Sequence, residues 1–174
     1  MVLYMLYYIY SKEIERRKEI KGEKFMKTLY FDMDGTIADL YSVENWLQDL
    51  RNYKVDPYIN AKPMYDTSEL NKLLIQFNEQ GYDIEIITWG AKESTEQYLR
   101  EVHKAKSEWL NRYSFPYDRM HTIPYGTSKS SRAREQGILI DDNKLVREER
   151  SKGETIDATK NILQELRNYL ETNL

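Results

Sequence analysis

Cysteine is absent from the 174-residue chain, and histidine occurs only twice, as His103 and His121. Disulfides and thiolate metal sites are thereby excluded, and a histidine-based zinc site lacks its ligands. Metal chemistry falls to oxygen donors, hence to a hard cation such as Mg²⁺. The lack of cysteine also fits a cytoplasmic protein. A membrane-length apolar run is missing too. The stretch Met1 to Tyr10 is too short to span a bilayer; no basic residue precedes it and no small-residue cleavage site follows. Nor is there an excess of positive charge. The formal net charge is −3, and residues 1–25 carry six Lys/Arg against four Asp/Glu, so the remainder is more acidic still. Such a body argues against an extended nucleic-acid surface.

What is present is the ordinary 40% apolar and 32% charged content of a globular domain. No composition break divides it, and one domain over residues 26–174 is expected. Lys21-Gly22-Glu23-Lys24 can be encoded by AAA-GGA-GAA-AAA, which contains a bacterial ribosome-binding sequence just ahead of Met26. Residues 1–25 are therefore expected to be a translated, loosely attached leader, with a short membrane-surface anchor as the alternative.

The most informative stretch is Leu29-Tyr30-Phe31-Asp32-Met33-Asp34-Gly35-Thr36. A short apolar run bounded by a turn signal reads as a buried strand. Asp32 and Asp34 alternate with Met33, so both project to one face at the strand's carboxyl end. Gly35 allows a sharp exit. Two close carboxylates repel unless a cation lies between them or one takes a proton. Three later apolar runs each deliver polar groups: Ile84 to Thr88, Met120 to Ile123 followed by Lys129, and Ile138-Leu139-Ile140 followed by Asp141-Asp142. In a parallel α/β sheet the strands' carboxyl ends converge, and ligands bind there.

The order Asp-x-Asp, Thr, Lys, Asp-Asp closely resembles the haloacid dehalogenase-like (HAD) hydrolase superfamily, with DMDGT (Asp32–Thr36) as its most specific signature and a span of roughly residues 27 to 171. The resemblance implies an α/β, Rossmann-like three-layer sandwich whose parallel five-stranded sheet has the order 5-4-1-2-3. Strand one is Lys27–Phe31, two Asp83–Thr88, three Met120–Ile123, four Ile138–Ile140 and five Thr155–Ile156. It further implies an aspartyl-phosphate on Asp32, with Asp34 as acid and base and Thr36 orienting it. Thr88, with Trp89 and Gly90 supplying backbone N–H groups, would hold the phosphoryl oxygens, and Lys129 would neutralise the site. Mg²⁺ would sit on Asp32, the Asp34 carbonyl and Asp141 or Asp142. Within the superfamily an acid at the second position points to phosphatases or phosphotransferases, since dehalogenases lack it. The I-T-W-G, P-Y-G-T and I-D-D segments look like the deoxyribonucleotidase-like branch, which implies a small phosphorylated substrate such as a nucleoside 5′-monophosphate.

Several alternatives stay open. A solvated Lys129 would leave Arg132 or Arg134 to supply the charge. A polynucleotide-end phosphatase, a catalytically silent HAD binding module and a response-regulator receiver use similar residue sets, though motif order disfavours the last. Between strands one and two, Tyr41 to Tyr53 reads as a helix and Tyr53 to Asp66, with Pro57 and Pro63, as irregular loop. Residues 41–66 thus suit a minimal helical flap. Its aromatics either pack it onto the body or stack on a nucleobase. Thr67 or Ser68 is expected to cap the next helix, and Ala91 to Arg112 to form a long one. A short helix should end near Gln136-Gly137. Asn143, Lys144 and Arg147 to Lys152 read as solvated loop, and Asp157 as the cap of the last helix.

Overall fold

The structure is a computed structural model that describes residues 27–173; the expected leader, residues 1–25, lies outside them. Strand β1 (Thr28–Phe31) is buried along its whole length and is the middle strand of a five-stranded sheet. Its neighbours are β4 (Asp83–Trp89) and β6 (Ile138–Asp141), flanked by β5 (Arg119–Ile123) and β7 (Glu154–Asp157). The order is β5-β4-β1-β6-β7 and every pairing is parallel. This is the order that the family resemblance implies. Continuous apolar runs such as Ile138-Leu139-Ile140 are what a sheet covered on both faces requires.

Alternate strand residues serve two cores. Leu29, Phe31, Ile84, Ile86 and Ile140 pack with the apolar stripes of α3 (Thr67–Glu79) and α6 (Ile162–Asn173). Tyr30, Ile87 and Leu139 pack instead with Val146 of α5 (Lys144–Glu149) and with Ala133. That second layer is thin, a six-residue helix and a loop.

The segment between β1 and α3 departs from the expected single helix and loop. After β2 (Ala38–Asp39) and a 3-10 turn at Leu40–Ser42, α1 covers only Trp46–Arg51, because Asn45 takes a left-handed backbone (φ 57°). Pro57 starts rather than breaks α2 (Asp56–Asn60); a proline in a helix's first turn forfeits no intrahelical bond. Lys62–Pro63 then forms β3, antiparallel to β2. Helix α4 (Glu96–Arg112) holds this flap by its backbone: Trp109 donates to the Ala61 carbonyl (2.7 Å), Tyr98 to Lys54 (2.7 Å) and Arg112 to Ile59 (2.8 Å).

Helix starts also moved. Asp66, not Thr67 or Ser68, caps α3 by accepting from the Glu69 N–H at 2.9 Å. Thr95 caps α4, so Ala91 to Ser94 is loop. Asn143 caps α5, where a solvated loop was expected. The last helix opens after Asn161, whose side chain accepts from Gln164, while Asp157 binds Thr159. Ahead of Gly137 only a 3-10 turn forms, at Lys129–Ser131. Among the described residues no helix is long and apolar enough to cross a membrane.

Candidate active site

Parallel strands bring their last residues to one edge, and the acids follow from that. The Asp32 N–H bonds the Ile140 carbonyl (2.9 Å), which sets the first acid beside Asp141 and Asp142 at the end of β6. One oxygen from each of these three carboxylates lies within 4.8 Å of the others. Past Asp32 the chain turns tightly, with the N–H groups of Thr36, Ile37 and Ala38 all directed at the Met33 carbonyl. Gly35 makes this possible. It has φ +82°, and a Cβ there would lie 2.7 Å from both Asp142 Oδ2 and the Tyr41 ring.

Lys129 is 1% exposed, and its ammonium bridges Asp32 Oδ1 (2.6 Å) and Asp141 Oδ2 (2.7 Å). Arg132 and Arg134 have no part in that bridge. Burial works against the ammonium, but the two carboxylates together outweigh it and hold the Lys129 pKa above the ordinary lysine value. The same environment acts on the acids. Burial, then the Asp32 charge, push Asp141 up to about 6 and raise Asp142 as well. Asp34 is raised by burial more than Lys106 lowers it, the direction a proton donor needs. Asp141 gives one oxygen to Lys129 and the other to the Asn143 N–H (2.8 Å).

Seven of the eight expected residues, Asp32, Asp34, Trp89, Gly90, Lys129, Asp141 and Asp142, line one open cavity of about 490 Å³. Thr88 does not line it. Its side chain is fully buried one residue below, and its hydroxyl accepts from Lys106 Nζ at 2.7 Å. The Gly90 N–H is committed to the Ile123 carbonyl (2.8 Å), so it is not a free phosphate donor. Gly90 is glycine because Leu99 of α4 occupies the place of a side chain. Thr36 does not orient Asp34; its hydroxyl accepts from the Asp142 N–H (3.1 Å) and faces Asp142 Oδ1 at 3.4 Å. Trp89 carries the Lys129 ammonium 4.8 Å from its ring centroid and donates to the Thr127 carbonyl (2.8 Å), which ties the lysine loop down.

The residue missed from the sequence is Lys106. It has no exposure, and its ammonium meets Asp34 Oδ2 at 2.5 Å. A signal existed. Lys106 stands four residues after Val102 and three before Trp109, on the buried stripe of α4. A lysine there has to find acceptors.

Around the acids, the flap contributes Tyr41, Trp46 and Tyr58 to the cavity lining, and Trp89 and Tyr125 add to it. Tyr41 and Tyr125 are each about half exposed, at the mouth.

No family model and no curated protein sequence matches the chain. Among solved structures it is similar to a chain of the Pnkp1/Rnl/Hen1 RNA repair complex, at 14% identity and a TM-score of 0.52 over 76% of this chain. It spans 42% of that chain's length. A second structure of the Pnkp1/Rnl/Hen1 complex gives 13% and 0.52, over 76% of this chain and 45% of that one. The D,D-heptose 1,7-bisphosphate phosphatase of Burkholderia thailandensis gives 10% and 0.49, covering 83% of this chain and 98% of that one. With the acid-bearing strand β1 at the centre of a β5-β4-β1-β6-β7 parallel sheet, the chain has the fold of the HAD-like hydrolases.

Proposed function

We propose that the chain is a Mg²⁺-dependent phosphohydrolase that cleaves phosphate monoesters through an aspartyl-phosphate on Asp32. The observation that carries this reading is the Lys129 bridge between Asp32 and Asp141, with Asp142 and Asp34 alongside. Three clustered acids with hard oxygen donors, Asp32 and Asp141 buried and Asp142 half-buried, two of them with raised pKa values, form a set that a divalent cation would satisfy. Asp32, Asp142, Asp141 and the Asp34 carbonyl would hold it, and Asp142 has the freer carboxylate. When bound, Mg²⁺ would screen the repulsion between an anionic carboxylate and an anionic phosphate.

In the first step an Asp32 oxygen forms a bond to phosphorus while the ester P–O bond breaks. The electron pair leaves with the alcohol oxygen, and Asp34 gives that oxygen its proton. In the second step a water attacks phosphorus, passes a proton to Asp34 and releases Asp32. Lys129 keeps Asp32 aimed and offsets charge throughout. Thr88 acts beneath the phosphoryl site rather than in the open cleft.

The aromatic walls support a nucleoside 5′-monophosphate as substrate, with the base against Tyr41, Trp46 or Trp89. The half-exposed Tyr41 and Tyr125 at an open mouth, and the likeness to a chain of an RNA repair complex, favour a second reading, a phosphate at a nucleic-acid end. Phosphate release from a panel of monoesters, with Mg²⁺ or chelator, tests the activity. Competition between nucleoside monophosphates and 5′- or 3′-phosphorylated oligonucleotides separates the two substrates. A protein inert toward every ester with Mg²⁺ present would leave only a silent binding module.

A further inference from the structure

Lys106 has a chemistry of its own. A fully buried ammonium is expensive unless each of its three N–H groups finds an acceptor. Lys106 finds three: Asp34 Oδ2 (2.5 Å), Thr88 Oγ1 (2.7 Å) and the Trp89 carbonyl (2.8 Å). A fourth side is covered by the face of Tyr58, whose ring centroid lies 4.6 Å away. The lysine stands where four parts of the fold meet: helix α4, the end of β4, the flap helix α2 and the Asp34 turn.

Two of these bonds, to Asp34 and Thr88, each remove a freedom from a side chain the reaction would use. An Asp34 oxygen facing a permanent donor cannot carry a carboxylic proton toward a substrate. With Oδ2 held by Lys106, Oδ1 is the Asp34 oxygen left to carry a proton toward a substrate in the cleft that Asp34 lines. A hydroxyl has one proton to give. Because Thr88 Oγ1 accepts from Lys106, its own O–H is left to donate elsewhere. We propose that Lys106 is a positioning residue that fixes which Asp34 oxygen delivers the proton to the leaving group and which way the Thr88 hydroxyl points. This inference rests on the phosphohydrolase reading. It differs from the role of Lys129, which touches Asp32 and Asp141 and not Asp34.

A purely structural role, a buried tether between α4 and β4, would lower every activity alike. The positioning role would not. An alkyl phosphate needs its leaving oxygen protonated, whereas 2,4-dinitrophenolate leaves without help. The experiment compares kcat/KM for a nucleoside 5′-monophosphate and for 2,4-dinitrophenyl phosphate in the wild-type protein, Lys106→Met and Lys106→Gln, with Mg²⁺ present. kcat/KM reports steps through departure of the alcohol, so the later hydrolysis of the phosphoenzyme does not enter. The ratio of the two values within one preparation is independent of the folded fraction. The expected result is a fall of about 100-fold or more on the alkyl ester, with a fall of no more than about tenfold on the aryl ester. Equal losses on both would overturn the proposal. A wild-type protein that cleaves neither ester, nor any phosphorylated oligonucleotide or other monoester of the panel, would overturn the phosphohydrolase reading itself. If neither variant folds, the native protein decides. A slowly exchanging Lys106 ammonium resonance should appear in ¹H–¹⁵N spectra and move in Asp34→Asn, and a resonance that ignores that substitution would overturn the proposal.

Discussion

Replacing Lys129 with methionine keeps the aliphatic stem and removes only the charge. The ammonium lies 2.6 Å from Asp32 and 2.7 Å from Asp141, and these carboxylates are 7% and 0% exposed. Deleting one member of a buried ionic set leaves its partners uncompensated, which destabilises by about 3–5 kcal/mol. With a urea m-value of about 2 kcal/mol/M, the midpoint should fall by roughly 1.5 M or more. The loss should depend on pH. Asp141 titrates near 6 when folded, above its ordinary range, so the folded state holds its proton more tightly than the unfolded state. Stability therefore falls as pH rises from about 4 toward 6, and the penalty is full above that. Without Lys129 the Asp141 carboxyl moves higher still, because the lysine is what holds it down, so the gap between variant and wild type should be widest at neutral pH and close on acidification. Mg²⁺ at neutral pH should recover part of it, because the cation replaces the lost charge. The assay is urea unfolding of both proteins at pH 5 and pH 7.5, with chelator and with Mg²⁺. A variant as stable as wild type in chelator at pH 7.5, or a gap that widens at pH 5, would refute the reasoning.

Other expectations follow from individual contacts. Asp32→Asn should abolish turnover in a phosphate-release assay, because an amide is a poor nucleophile, while leaving the thermal unfolding cooperative. Gly35→Ala should lower both stability and activity, since the left-handed φ of +82° and the 2.7 Å approaches to Asp142 and Tyr41 leave no room for a methyl group. Thermal melts and phosphate release check it. Tyr41→Ala should raise KM for a nucleoside monophosphate by about 5- to 150-fold, the range for one lost stacking partner. It should barely affect a small alkyl phosphate, so equal effects on both would place the base elsewhere.

How much was legible varied with the kind of signal. The central strand and its acids were readable because Leu29-Tyr30-Phe31 is apolar without interruption and Asp-x-Asp-Gly follows at once. The strand order came with the resemblance, and the acids' meeting point came with the order. Lys129 was readable as a loop lysine, but its bridge between two acids needed the third dimension. Lys106 was hidden because apolar spacing, which marks a helix's inner stripe, passes over charged residues, and an ammonium there becomes intelligible only with its acceptors in view. Pro57 signals a loop in the sequence yet opens a helix in the structure, because a first-turn proline and a breaking proline look alike in sequence. Gly90 resembled a phosphate-binding glycine yet makes room for Leu99, a contact between segments that spacing does not encode. Thr36 sits two residues from Asp34 but pairs with Asp142 across the sheet edge, where local proximity was the wrong guide.

The central claim is that Asp32 accepts a phosphoryl group, and it is tested by acid-quenching the protein during turnover of a phosphate monoester and mapping the phosphorylated peptide. The label should fall on Asp32, depend on Mg²⁺ and be absent from Asp32→Asn. Turnover that proceeds with no phosphorylated residue, or with the label on another side chain, would contradict it.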